Sequence, residues 1–297
     1  MLSLLNYGKL AGLMVVDNSL KINELKVHLD ALFNFASQVT YSQKHLLPVV
    51  QAGKSLIGIN PNIPPKNLLK WLEGYVKEFS MGKEENIKEI KQKSPEVIEI
   101  TKLGELVNAN QKTEALKYLQ FLKQVANQEY IAEYLMELAT SKSPFQLLFC
   151  WYIFKTIRHT ENENQFLLLE LGISCLMDEN KNKNANQFEL ICYQNQILNT
   201  AMIRSETIIP KLNVMVEIAK TEISENGHTF ILQELVPLIN DRGEMGVWTF
   251  LSGLNMEELN PELILRLDAV RSAVRYSSNK NDWFMEKIIN SRMKTVC

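Results

Sequence analysis

The chain has 297 residues, with 32 Lys and Arg against 34 Asp and Glu mixed along its length and a formal net charge of −2. That balance leaves no electrostatic footprint for nucleic acid or for an anionic lipid surface, and both partners are set aside. Twelve glycines, nine prolines and 46% apolar residues exclude collagen-like, low-complexity and disordered classes and disfavour a turn-rich β sandwich.

In chain order, Met1 to Val16 is mildly apolar, carries Lys9 and lacks a small-residue cleavage pattern after it. A first helix or a docked arm is expected there rather than a secretory leader. Apolar residues then recur at helical spacing in Leu25, Leu29, Leu32, Phe33 and Ala36, with His28 on the same amphipathic helix. His45 stands before Leu46, Leu47, Pro48, Val49 and Val50, at the start of an apolar helix. It has two readings: a general base kept neutral by burial, or a hydrogen-bonded core histidine at a helix start. Pro64-Pro65 opens a helix carrying Leu68, Leu69, Leu72, Tyr75 and Val76, since a proline in the first turn has no backbone donor to leave unpaired. Lys83 to Lys93 alternates Lys and Glu, with Glu84/Lys88 and Glu89/Lys93 four apart, and predicts a solvated helix. Ala115, Leu119, Leu122 and Ala126 mark a further helix, and Ser143-Pro144 starts one that runs from Phe145 to His159.

The stretch from Asp178 to Asn186 is rich in Lys and Asn and is the best candidate for a flexible connection. Beyond it, breaks fall at Asn226-Gly227, next to His228, and at Asp241 to Gly246, and Trp283, Phe284, Met285, Ile288 and Ile289 form a core or dimer face. No strand pair and no repeat of solenoid length is visible. The expected fold is all-α, one compact multi-helix domain of roughly a dozen helices over residues 1–297. The longest uninterrupted apolar run, Leu147 to Phe154, is far short of the ~18 residues that span a bilayer. Cys150, Cys175, Cys192 and Cys297 form no CxxC or CxxH pair, which argues against a zinc knuckle or a disulfide framework and for a cytoplasmic chain with free thiols. There is no GxGxxG, P-loop, HExxH, GxSxG or EF-hand loop, and no metal site is expected.

The helix from Phe145 to His159 carries the densest chemistry. It is apolar almost all round at its start and therefore central, while Trp151, Lys155 and His159 fall at i, i+4 and i+8 with Arg158 beside them. One reading is a pocket for a flat, electron-rich or anionic molecule, with Trp151 stacking and the cations stabilising an oxyanion. The other is a helix leaving the core with cations that complement its dipole. Cys150 and Cys192 read either as small buried hydrophobes or as thiols awaiting a base.

Three stretches resemble the questin-oxidase-like family, all-helical proteins that include Baeyer–Villiger-type oxidases of anthraquinones. Ser42, His45, Pro48, Leu56, Gly58, Trp71, Leu72 and Tyr75 resemble its opening order of helix, Ser-x-x-His, apolar helix and Trp-Leu-Glu-x-Tyr helix. Leu103-Gly104, Tyr118, Leu119, Phe121 and the run to His159 resemble a region ending in a Phe-His-Gly-x-Ile-Arg element, and Phe188 to Leu198 is similar in placement to a Phe-x-x-Leu-His element. The chain departs from the pattern where Cys150 and Trp151 follow Phe149 and where Cys192 stands at the later His position; among these histidines His45 alone keeps its place. The resemblance implies an oxidase-like enzyme of specialised metabolism acting on an aromatic or polyketide-like molecule, with NADPH or a diffusible flavin as redox partner. In it His45, Lys155, Arg158 and His159 would do acid/base and charge-stabilising work, and Phe149, Cys150, Trp151, Tyr152 and Cys192 would line the pocket. The loss of two expected histidines favours the alternative, a catalytically silent helical scaffold that binds a ligand or a protein partner.

Overall fold

Helix starts follow the side chains that can satisfy free backbone N–H groups. The computed structural model describes residues 22–42, 44–82, 98–179, 187–200, 203, 205–226 and 234–276. Of these, 78% are helical and none forms a strand; the one β-bridge joins Val39 to Met81. The helices are α1 Ile22–Gln38, α2 Leu46–Ile57, α3 Lys66–Val76, α4 Ile100–Asn108, α5 Lys112–Val125, α6 Gln128–Ala139, α7 Pro144–Thr156, α8 Asn162–Leu176, α9 Gln187–Leu198, α10 Ile208–Asn226, α11 Leu235–Arg242, α12 Glu244–Gly253 and α13 Pro261–Tyr276. The N-terminal stretch to Val16, the charged run from Lys83, residues 180–186 of the proposed connection, His228, Cys297 and the C-terminal apolar residues lie outside the described residues.

The helix α7 is the axis of the fold and packs against α2, α6, α8 and α9. Its start is set by a capping box, in which Ser143 accepts from Gln146 N–H and Gln146 accepts from Ser143 N–H, with Pro144 in the first turn. Every residue from Gln146 to Phe154 is buried, as the all-round apolar sequence requires. Gln146 also donates its amide to the carbonyls of Cys175 (2.9 Å), Leu176 (3.3 Å) and Asp178 (3.2 Å), closing the C-terminus of α8, whose last carbonyls have no partner inside the helix. The helix is shorter than its sequence suggests: Thr156 ends it, and Ile157–His159 continue as one 3-10 turn. The remaining helices complete a single all-helical domain, with α9 lying along α13 and α10, and α13 along α2.

Two glycines permit the tight hairpin of α11 and α12. Gly243 has φ +57°, open to glycine at little cost, and a Cβ on Gly246 would collide with the backbone carbonyl of Leu238. No described helix is long and apolar enough to cross a membrane.

Candidate functional site

A cavity of about 580 Å³ opens beside α7, lined from α2, α3, α7, α9 and α13. Pro48, Val49, Tyr75, Leu148, Phe149 and Leu265 make it apolar, and Lys44, Glu262 and Arg266 give it a charged side. That volume suits one small molecule. A second depression, of about 550 Å³, shares Asn260 and Glu262 with it but is lined by no deeply buried polar group.

Two polar groups stand in the wall of the first cavity. Tyr152 is 3% exposed, yet its hydroxyl makes no hydrogen bond of ordinary geometry among the described residues. Its ring meets Tyr193 edge-on at 5.9 Å, and the Tyr193 hydroxyl, which donates to Asp268 Oδ2 at 2.7 Å, also interacts with the Tyr152 hydroxyl. Burial holds the Tyr152 phenol well above its usual range; Glu189 adds to the effect and Tyr193 offsets part of it. Glu189 is 6% exposed, and burial pushes its carboxyl up to about 8, with Arg266 pulling down and Glu262 pushing up. At neutral pH both groups are uncharged, a state a buried carboxyl adopts to avoid desolvating a charge.

His45 lines the same cavity, edge-on to Phe149 at 5.6 Å. Its Nε2 donates to Val39 O at 3.0 Å, and its Nδ1 accepts from Leu47 N–H at 3.1 Å. The ring thus caps α2 and ties the preceding loop to it. With both nitrogens engaged and burial holding the pKa down to about 4, the imidazole is neutral and has no free lone pair to offer a substrate.

The other residues singled out in the sequence separate into three places. Trp151 and Lys155 do meet: the Lys155 Nζ lies 5.6 Å from the Trp151 ring and 5.6 Å from the Tyr193 ring. Arg158 turns away, pairing with Glu129 at 2.8 Å and lying over Phe154. His159, carried off by the tighter 3-10 turn, stacks on Phe33 and accepts from Lys54 Nζ at 2.5 Å. Burial first, then Lys54 and Arg158, hold the His159 pKa down to about 4. Cys150 and Cys192 are buried and do not line the cavity, and burial raises the Cys150 thiol further from its reactive form.

Sequence reasoning passed over a buried polar knot beside this site. Asp268, fully buried on α13, accepts from Arg271 Nε at 2.7 Å and from Tyr193. Alongside it, Ser272 donates to Gln196 at 2.9 Å. The signal was present: Ile264, Leu267, Asp268 and Arg271 stand at i, i+3, i+4 and i+7, so two charges fall on the buried stripe of one helix.

No group of three or more His, Cys, Asp or Glu among the described residues is placed to hold a metal ion. For the NADPH or flavin implied by the resemblance, the cavity lining offers no glycine, and of its cations Lys44 and Arg266 the latter is bound to Glu262 at 2.6 Å. These residues make no pyrophosphate cradle. Comparisons with protein-family models, with curated proteins and with solved structures find no match for this chain. The questin-oxidase-like resemblance therefore carries only what its own quoted residues carry.

Proposed function

We propose that this chain is a helical small-molecule-binding protein whose ligand is a largely apolar, ring-bearing compound lying in the cavity between α2, α7, α9 and α13. The observation that carries the reading is the Tyr152 hydroxyl, buried in the wall of an apolar cavity of about 580 Å³ with no hydrogen bond of ordinary geometry among the described residues. A buried polar group left unpaired costs about 1–3 kcal/mol, and a ligand acceptor atom seated on it would recover that cost. Glu189, held as a neutral acid, stands in the same wall.

Oxidation of an aromatic or polyketide-like ligand in this cavity is the second reading, favoured by His45 and Phe149 both lining it. In that reading Tyr152 and Glu189 take the proton-handling role, because both nitrogens of His45 hold backbone.

The test is native mass spectrometry of freshly purified protein, followed by titration with a fluorescent anilinonaphthalene dye. A retained small molecule or a single saturable dye site is expected, abolished by Val49→Trp, which fills the cavity, and weakened several-fold by Tyr152→Phe. An apo mass together with dye binding indifferent to Val49→Trp would remove the proposal. If a hydroxyanthraquinone supplied with NADPH and air is turned over, and turnover is lost in Glu189→Gln but kept in His45→Asn, the second reading gains over the first.

A further inference from the structure

We infer that Lys155 is a nucleophilic amine that condenses with small aldehydes to form an imine, a covalent site distinct from the cavity. Lys155 leaves the last turn of α7 half-buried, where α2, α9 and α13 meet. An ammonium group has three N–H donors, which water would satisfy. Here its hydrogen bond among the described residues is to Ser55 Oγ, long at 3.4 Å, and it makes no ion pair with a described carboxylate.

The carboxylate that acts on it, Asp268, is already engaged at both oxygens, by Arg271 Nε and by the Tyr193 hydroxyl, each at 2.7 Å. Two further cations repel Lys155, Arg271 from α13 and Lys54 from α2. The rings of Trp151 and Tyr193 return part of the stabilisation that a cation needs. The balance still disfavours charge: burial first, opposed by Asp268 and reinforced by Arg271 and Lys54, holds the Lys155 pKa down to about 8. A lysine desolvated beside other cations is a nucleophile near neutral pH, because its lone pair is exposed in a usable fraction of molecules.

In the reaction, the lone pair of the neutral Nζ amine adds to the aldehyde carbon and one N–H proton passes to the carbonyl oxygen, giving a carbinolamine. The C–O bond then breaks, the oxygen leaves as water with a second proton, and the C=N bond forms as the nitrogen gives up its remaining N–H proton. No oxidant or reductant is consumed. Lys54 on α2, whose ammonium donates to His159 Nε2, is the neighbouring cation that can act as a proton source. Half-burial restricts the partner to small, unhindered aldehydes. Tyr193 touches both Lys155 and Tyr152, so the two sites are neighbours, but imine formation does not depend on a ligand in the cavity.

The experiment is reductive alkylation of the full chain at pH 7 with limiting acetaldehyde and cyanoborohydride, mapped by peptide mass, with exposed Lys70 and Lys77 as internal standards. Lys155 is expected to be ethylated on the order of ten times faster than either standard, an advantage that shrinks above pH 8 as ordinary lysines deprotonate. Lys54→Gln, which removes a neighbouring cation, should slow Lys155 labelling at pH 7 several-fold, a response that a merely structural lysine would not give. Labelling of Lys155 no faster than Lys70, or labelling unaffected by Lys54→Gln, overturns the proposal.

Discussion

Asp268→Asn tests the buried knot that joins α9 to α13. The substitution preserves shape and removes one negative charge at a side chain that is 0% exposed, beside an Arg271 that is 3% exposed. Two short bonds of 2.7 Å end on that carboxylate, one of them from a guanidinium. Asn can still accept one of them, but its amide then points a donor at the other. The larger loss is electrostatic: Arg271 stays ionised in a buried place with its counter-charge gone, and Lys54 and Lys155 lose the same carboxylate. Breaking a buried pair from one side costs about 3–5 kcal/mol, a large share of the 5–15 kcal/mol by which domains are ordinarily stable. The assay is urea unfolding followed by far-ultraviolet circular dichroism and tryptophan fluorescence, whose coincidence supports two-state treatment. Arg271→Met should make the Asp268→Asn change much cheaper, with a coupling energy of about 2 kcal/mol or more in the double-mutant cycle. A single-mutant loss under about 1 kcal/mol, or simple additivity, would refute the assignment of Asp268 as the counter-charge of this knot.

Two further predictions concern stability. His45 holds a pKa of about 4 against the ordinary 6.5, so the unfolded chain takes up a proton first as the medium is acidified. Its contribution is complete above about pH 6.5 and is lost as pH falls toward 4, up to about 3 kcal/mol; His45→Asn, which keeps a cap acceptor but does not titrate, should flatten that part of the stability profile, and an unchanged slope would contradict the burial argument. Gly246→Ala should cost at least about 2 kcal/mol because its Cβ meets unyielding backbone at Leu238. By contrast Gly74→Ala in α3, with nothing within 4 Å, should stabilise by about 0.5–1 kcal/mol, and thermal melts of the pair should move in opposite directions.

Helical periodicity, proline and serine starts and the all-apolar run at Leu147 to Phe154 made the helical class and the central place of α7 legible, because these are local properties of spacing and capping. The break at Asp241 to Gly246 likewise falls at Gly243, where α11 ends and α12 begins. The extent of α7 was less legible, since a 3-10 turn differs from an α turn by one hydrogen-bond register and carries no separate sequence mark. That small change sends Arg158 to Glu129 and His159 to Lys54 and breaks the face that i, i+4, i+8 spacing predicts.

Taken alone, then, the sequence determined that this chain is helical, which of its helices is innermost, and that His45 begins one of them. Only the tertiary structure decided what the polar residues do. It alone engaged both nitrogens of His45, buried the Tyr152 hydroxyl in a cavity wall, brought Glu189 into the same wall, and placed Lys155 between two rings with Asp268 already occupied. The physical reason is that a helix start is decided within a few residues, whereas the charge state and partner of a side chain depend on what distant helices bury against it.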